Sequence, residues 1–345
     1  MPENSFARSM PAMCAERALL YCAGGGIGDS LVASVVARAL HQRFAKVDAL
    51  TLPSHRELLE RVPDVDRVLI DAGEDSTVAT ELARWGYGAC VVTWATSRAA
   101  RVPQRAGIPV RVGQARRLYS FRFTNRVVVR SERGDVTSHW SDVLLDFPRA
   151  IGCDTADHRY RFVPTAHDER EAAELLAGSQ RFIILNPCNA IASRRSFWPL
   201  EGWAALACAL RERYDARVLV SGSPADAHWA EGIVRLVGGR EGIDSIAGRT
   251  SVGAFGALAR RARAFVGITT GSMHVAAAVG CPTVGIFPFQ SDFPERWAPL
   301  GERTAVVRAA YPCHPGDTKE RCRDYACIAN LDRTRILAAL DSLIA

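Results

Sequence analysis

Short apolar runs rich in β-branched residues alternate with helical patterns along nearly all of this 345-residue chain, and that alternation limits its fold more than any other feature. In the first half, strands are predicted at 18–23, 47–52, 67–70, 89–94 and 110–112, and helices at 31–44, 56–61, 78–85 and 98–106. The strand runs are continuous rather than alternating, as expected for parallel strands covered on both faces. Such a βαβ series implies an α/β fold built on an open, doubly wound sheet. A strand-poor stretch follows at 148–179, holding Pro148, Gly152, Pro164 and an acidic helix at 168–177. The pattern then restarts, with strands at 181–185, 216–221, 264–268 and 283–287 and helices at 200–214, 227–237, 252–261, 273–279 and 332–344. The expectation is a variable lead-in at 1–16 and two Rossmann-like domains, 17–165 and 166–345, facing a central cleft. The second ends in a closing helix. The length agrees with two domains.

Composition excludes several classes. With 48% hydrophobic and 23% charged residues, the chain is neither disordered, nor collagen-like, nor a small disulfide scaffold. Most of the ten cysteines lie in apolar runs (Cys22, Cys90, Cys208, Cys281) and read as buried hydrophobes in a reduced, cytoplasmic setting. No long apolar run precedes Glu16, so no secretory signal is expected. Residues 265–291 carry no Asp, Glu, Lys or Arg, which raises the question of a membrane span. The breakers Gly267, Gly271, Gly280 and Pro282 instead divide that stretch into strand, turn, helix and strand. The net charge is +6, and Lys46 and Lys319 are the only lysines among 43 basic residues. Genome bias accounts for most of the arginines; some would suit phosphates, which guanidinium grips bidentately.

Four constellations could carry chemistry. The first, Gly24-Gly25-Gly26-Ile27-Gly28-Asp29-Ser30, follows the first strand and opens a helix. Asp29 stands where a dinucleotide fingerprint needs glycine, and a carboxylate there would repel a pyrophosphate. Asp29 reads either as a helix cap or as a general base toward an acceptor hydroxyl, with Gly25, Gly26 and Gly28 as the acceptor-side loop. The second, Thr269-Thr270-Gly271-Ser272-Met273-His274, joins a strand end to a helix of small residues. Its hydroxyls and N–H groups could hold a diphosphate without a metal; a purely structural turn is the alternative. His274 reads as a core histidine or as a phosphate and sugar contact. The third places Asn186-Pro187-Cys188 at a strand end, ahead of Arg194 and Arg195. These arginines could neutralise a leaving diphosphate or be solvated surface. The fourth, Cys313, Cys322 and Cys327 beside His314, lacks any C-x-x-C pair. A packed tail is the leading reading there, ahead of a metal site or a redox role.

Together these pieces resemble glycosyltransferase family 9, the ADP-heptose:lipopolysaccharide heptosyltransferases. Gly28-Asp29, Asn186-Pro187, Trp198-Pro199, Gly248-Arg249-Thr250 and the run from Thr270 to Ala277 are similar to that family's signatures and come in the same order. Trp297-Ala298-Pro299 and the cysteine-bearing tail are also similar. The resemblance implies a GT-B architecture and an inverting reaction. It implies that Asp29 is the catalytic base and that Thr270, Gly271, Met273 and His274 contact the donor diphosphate; Asn186, Arg194, Arg195, Thr269 and Ser272 join them as donor-side candidates on their own chemistry. The chain departs from the family pattern at Thr269 (acidic in the family), Ser196 (basic), Cys188 (glycine) and Phe287-Pro288-Phe289-Gln290.

The resulting expectation is metal-independent transfer of a sugar from a nucleotide-sugar donor, such as ADP-heptose, to a saccharide or glycolipid acceptor of lipopolysaccharide or a related glycan. No cofactor and no nucleic-acid partner are expected. The location would be cytoplasmic, with peripheral contact at the inner face of the inner membrane. The alternative is a non-catalytic nucleotide-sugar-binding or assembly protein on the same fold. A nicotinamide-dependent oxidoreductase is disfavoured by the failed glycine fingerprint at Asp29.

Overall fold

A computed structural model describes residues 16–176, 178, 181–187, 198–289, 293–312, 314, 316–317 and 321–344. The first sheet comprises β1 (Arg17–Tyr21), β2 (Lys46–Thr51), β3 (Arg67–Ile70), β4 (Ala89–Val92), β5 (Val110–Gln114) and β6 (Asn125–Val127), in the order β3-β2-β1-β4-β5-β6. The second comprises β7 (Phe182–Asn186), β8 (Arg217–Val220), β9 (Ile243–Ser245), β10 (Ala264–Ile268), β11 (Thr283–Phe287) and β12 (Thr304–Arg308), in the order β12-β11-β10-β7-β8-β9. Every pairing is parallel. The two sheets repeat one topology, the doubly wound Rossmann order. Its strand order reverses between β1 and β4, and between β7 and β10. Ligands bind in such sheets at that reversal, beyond the carboxyl ends of the strands. The Asp29 loop after β1 and the threonine turn after β10 both occupy that position.

The helices of the first half are α1 (Ile27–Ala33), α2 (Val35–Leu40), α3 (Arg56–Leu59), α4 (Asp75–Trp85), α5 (Ser97–Arg105) and α6 (Trp140–Arg149). Those of the second are α7 (Ala166–Leu176), α8 (Leu200–Tyr214), α9 (Ala227–Leu236), α10 (Val252–Arg261), α11 (Gly271–Ala278), α12 (Pro294–Trp297), α13 (Ala326–Ala329) and α14 (Arg333–Ile344). The central strands β4, β7, β10 and β11 are buried along their whole length, which explains their uninterrupted apolar sequence. The uncharged run 265–291 contains β10, α11 and β11. Among the described residues no helix is long and apolar enough to cross a membrane.

Several expectations are corrected. The single helix at 31–44 is two helices, and it begins earlier, at Ile27. It breaks at Ser34, whose Oγ donates to the Leu31 carbonyl at 2.7 Å and competes with the helical ladder. Pro148 belongs to the last turn of α6 rather than to a linker. Arg130 pairs there with both Asp142 and Asp146, each at 2.7 Å, holding that helix against the preceding turn. Three of the four sheet edges, β6, β9 and β12, went unpredicted. Edge strands are short and polar, and Asn125-Arg126-Val127 and Ile243-Asp244-Ser245 carry little apolar signal.

One hydrophobic cluster runs from Ala18 and Leu31 of the first half to Phe265 and Met273 of the second, so the halves share a core at their junction. Tyr160, only 2% exposed, fastens that junction. Its hydroxyl oxygen accepts the Leu300 N–H at 3.0 Å and lies 2.6 Å from His274 Nδ1. That hydrogen bond is buried, and burial keeps His274 neutral by pushing its pKa down to about 3. Tyr160→Phe leaves a buried N–H and a buried ring nitrogen unpaired. A loss of roughly 1–3 kcal/mol is expected by denaturant unfolding. On the opposite side His139 Nδ1 accepts the Ser141 N–H at 3.2 Å, so Nε2–H donates to the Ala298 carbonyl at 3.0 Å. Trp140 stacks on Trp297 beside it, with ring centroids 5.5 Å apart.

Candidate active site

Asp29 is the third residue of α1 and closes that helix's first turn. Its Oδ2 accepts the Gly26 N–H at 2.7 Å, satisfying one of the donors a helix N-terminus leaves free. Oδ1 has no protein partner among the described residues. Burial raises the pKa of this carboxyl; the Gly26 N–H and the charge of nearby His55 oppose the rise. The carboxylate lines a crevice with Cys22, Gly24, Ser30, Thr93, Trp94, Trp140 and Leu144. Gly24 lies directly against the indole of Trp94: a Cβ built there would sit 2.0 Å from its Cδ1. Behind Asp29, Ser30 Oγ lies 2.9 Å from His55 Nδ1, and both side chains are buried. Asp29 thus combines the cap geometry with the surroundings that a proton acceptor needs.

The threonine turn approaches from the other half. A Cβ placed on Gly28 would lie 3.1 Å from the Gly271 Cα, so the first turns of α1 and α11 meet backbone to backbone, where side chains would not fit. Thr269, Thr270, Gly271 and Ser272 are partly exposed at this junction. Gly25 and Gly26 are exposed on the facing loop. Asn186, at the end of β7, is 3% exposed. Its Nδ2 donates to Ser221 Oγ at 2.9 Å, and its Oδ1 accepts from Thr270 Oγ1 at 3.4 Å. Asn186 therefore braces the ends of β7, β8 and β10 under the turn.

The side chains of Met273 and His274, 0% and 4% exposed, turn into the core, which fits the core reading of His274 and leaves their backbone N–H groups as what they can offer at the start of α11. The small residues of α11 bring this helix so close to the sheet that its third and fourth positions point inward. Arg194, Arg195, Ser196, Cys188 and Cys313 lie outside the described residues. Cys327 is buried in α13, and the partly buried Cys322 Sγ accepts the Tyr325 N–H at 3.2 Å. Among the described residues no three His, Cys, Asp or Glu side chains converge as metal ligands. A surface hollow of about 750 Å³ runs along α4 over Ser76, Thr80, Arg84 and Trp85 and shares no lining residue with the Asp29 crevice.

Sequence reasoning missed His55, Trp94, Tyr160 and Ser221. For Tyr160 a signal existed: Tyr160 and Phe162 alternate with Arg159 and Arg161, the period of a segment buried on one face. For the other three no local motif marks the residue, and only the topology brings them to the cleft.

Two repeated Rossmann-like sheets, meeting at their reversal points around a carboxylate and a hydroxyl-rich turn, define the GT-B class of sugar-transferring folds. The chain belongs to glycosyltransferase family 9 (heptosyltransferase), whose sequence profile matches residues 77–326. It is 25% identical over 187 residues to the lipopolysaccharide core heptosyltransferase OpsX of Haemophilus influenzae; the match spans 54% of this chain and about half (51%) of that relative's length. Among solved structures it resembles Escherichia coli ADP-heptose lipopolysaccharide heptosyltransferase II, with a TM-score of 0.77 at 20% identity, covering 95% of this chain and 98% of that one. It also resembles a family 9 glycosyltransferase from Veillonella parvula, with a TM-score of 0.80 at 16% identity over 95% and 97% of the two chains. A third match is E. coli heptosyltransferase WaaC with ADP, with a TM-score of 0.72 at 17% identity over 94% and 99%.

Proposed function

We propose that this protein is an inverting glycosyltransferase. It would move a sugar, heptose being the first candidate, from a nucleotide sugar such as ADP-heptose to a hydroxyl of a saccharide or glycolipid acceptor in lipopolysaccharide or related glycan synthesis. The observation that carries the reading is the position of Asp29. It lies at the strand-order reversal of the first sheet, fixed by the Gly26 N–H and raised in pKa by burial, beside the Thr269–Ser272 turn of the second sheet. Asp29 accepts the acceptor hydroxyl's proton as that oxygen attacks the anomeric carbon from the face opposite the leaving diphosphate. The bond to the nucleotide breaks as the new glycosidic bond forms.

The negative charge that develops on the diphosphate falls beside the hydroxyls of Thr269, Thr270 and Ser272 and the N-terminus of α11, which need no metal to hold it. Arg194 and Arg195 are assigned to the same charge. Family membership supports the donor class, as do the WaaC structures, one with ADP and one with ADP-2-deoxy-2-fluoro heptose. Thr269 stands where the family carries an acid, which puts a hydroxyl in place of a carboxylate on the donor side.

The test is a panel of ADP-, GDP- and UDP-sugars. A nucleotide bound at a hundredfold over its Kd stabilises the native state by about 2.7 kcal/mol, so one base should stand out as a rise in Tm. Product formation with that donor distinguishes a transferase from a binding protein on the same fold. A clear Tm rise without turnover on any acceptor would favour the non-catalytic alternative.

A further inference from the structure

The two most exposed large apolar side chains among the described residues, Leu118 at 99% and Phe121 at 64%, lie three positions apart in the loop between β5 and β6. This loop is held in shape. Tyr119 OH donates to the Ala95 carbonyl at 2.6 Å, Ser120 Oγ donates to the Gln114 carbonyl at 2.6 Å, and the Arg117 N–H donates to Ser120 Oγ at 3.0 Å. Tyr119 and Ser120 thus pin the loop inward while Leu118 and Phe121 are presented to solvent.

Arginine dominates the charged residues of this segment. Between positions 98 and 133 the sequence has ten arginines and a single carboxylate, Glu132, so this segment is more basic than the whole chain at +6. Arg117 shares Glu132 at 2.9 Å. Arg116, Arg122 and Arg126 have no carboxylate within salt-bridge distance among the described residues, and Arg122 lies over the Phe121 ring at 4.8 Å. Apolar tips flanked by Arg116, Arg122 and Arg126, none with a carboxylate partner among the described residues, match a surface whose interior is hydrocarbon and whose face is anionic.

The loop also lies at the right end of the sheet. It leaves the carboxyl end of β5, one strand beyond β4, and Tyr119 ties it to the β4 loop that carries Trp94 beside Asp29.

We propose that the β5–β6 loop docks the protein on an anionic phospholipid bilayer, with Leu118 and Phe121 among the acyl chains and Arg116, Arg117 and Arg122 at the phosphates. The proposal rests on the reading of a membrane-anchored glycolipid acceptor, whose sugar would then be offered to the Asp29 end of the first domain.

The test is flotation of the full chain with vesicles of phosphatidylcholine alone and of phosphatidylcholine with phosphatidylglycerol. The wild type should bind the anionic vesicles about tenfold or more tightly than the neutral ones, and raising salt from about 0.1 M to about 1 M should weaken that binding. Leu118→Asp/Phe121→Asp and Arg116→Glu/Arg122→Glu should each lose about tenfold or more in vesicle binding while keeping wild-type melting and the wild-type Tm response to nucleotide. Wild-type protein that stays off anionic vesicles overturns the proposal. So does vesicle binding that both double variants retain. A dimer, seen by light scattering, that dissolves in the Leu118/Phe121 variant while wild-type vesicle binding is absent assigns the patch to a second copy instead. If the wild type binds anionic vesicles through this loop but transfers no sugar from any donor, the docking surface stands and the transferase reading falls.

Discussion

Asp29→Asn is expected to lower sugar transfer by about 10²–10⁴-fold, the range a positioned general base supplies, while leaving nucleotide binding and fold stability intact. The pairing of these outcomes is what makes the test decisive. The asparagine carbonyl can still accept the Gly26 N–H that Asp29 Oδ2 holds at 2.7 Å, so the first turn of α1 stays closed. What the variant removes is the charge and the ability to take a proton. Burial raises the Asp29 pKa, which means that the folded state disfavours the charged carboxylate relative to the unfolded chain. Removing that charge should therefore leave the melting temperature unchanged or slightly higher. Asp29→Ala, which also deletes the cap, should lose activity and in addition about 0.5–2 kcal/mol of stability. In the wild type, kcat/KM should fall on the acid side as Asp29 becomes protonated, with a midpoint above the ordinary value of 3.8. That acid limb should vanish in the residual activity of the asparagine variant. Near-normal turnover by Asp29→Asn would reduce Asp29 to a helix cap.

The repeat of the two sheets was legible because its central strands are buried on both faces, and burial leaves a continuous apolar signature at β1, β4, β7, β10 and β11. Edge strands have no such constraint, and β6, β9 and β12 stayed hidden behind Arg126, Asp244 and Arg308. The same contrast governs the site. Asp29 and the Thr269–Ser272 turn stood out because their chemistry is local: a carboxylate among glycines, hydroxyls before a run of small residues. The direction of Met273 and His274 was not local. Whether the third residue of a helix faces the cleft or the core depends on how closely that helix lies on its sheet, and here the small side chains of Ala276, Ala277 and Ala278 set the approach. His55 and Ser221 act on the site through hydrogen bonds that span 25 and 35 residues of sequence. No spacing rule reaches that far.

Asp168→Ala should be the most destabilising single change outside the crevice, at about 3–5 kcal/mol, because it strands a guanidinium in the seam between the two halves. Asp168 is completely buried, yet it lies near the start of α7 in an acidic, outwardly polar sequence. Its two oxygens receive Arg61 bidentately, Nη2 at 2.6 Å and Nε at 2.8 Å, and Oδ2 also accepts the Thr165 N–H at 2.7 Å. The seam has no room to relax around the loss. Gly253, in the first turn of α10, lies under this pair, and a Cβ built on it would come within 2.1 Å of Asp168 Oδ1 and 2.3 Å of Arg61 Nε. Glu57 reaches the same turn from α3, accepting the Gly253 N–H at 2.8 Å. Charge and backbone thus lock α3 to α7 and α10, and removing one partner leaves the other desolvated. The pair also sets a pH window. Burial acts to raise the Asp168 pKa, but the Arg61 and Thr165 hydrogen bonds outweigh it and hold the carboxyl at about 2. A depressed carboxyl contributes its full stability above the unfolded value near 4 and loses it as pH falls toward 2. About 2–3 kcal/mol should therefore disappear over that interval in the wild type and not in Asp168→Ala. The double variant Arg61→Leu/Asp168→Leu separates the cost of an unpaired charge from the worth of the pair. Recovery of most of the lost stability would mean that the seam needs only filled, neutral volume. Failure to recover it would mean that the bidentate bond itself fixes how the two Rossmann halves meet.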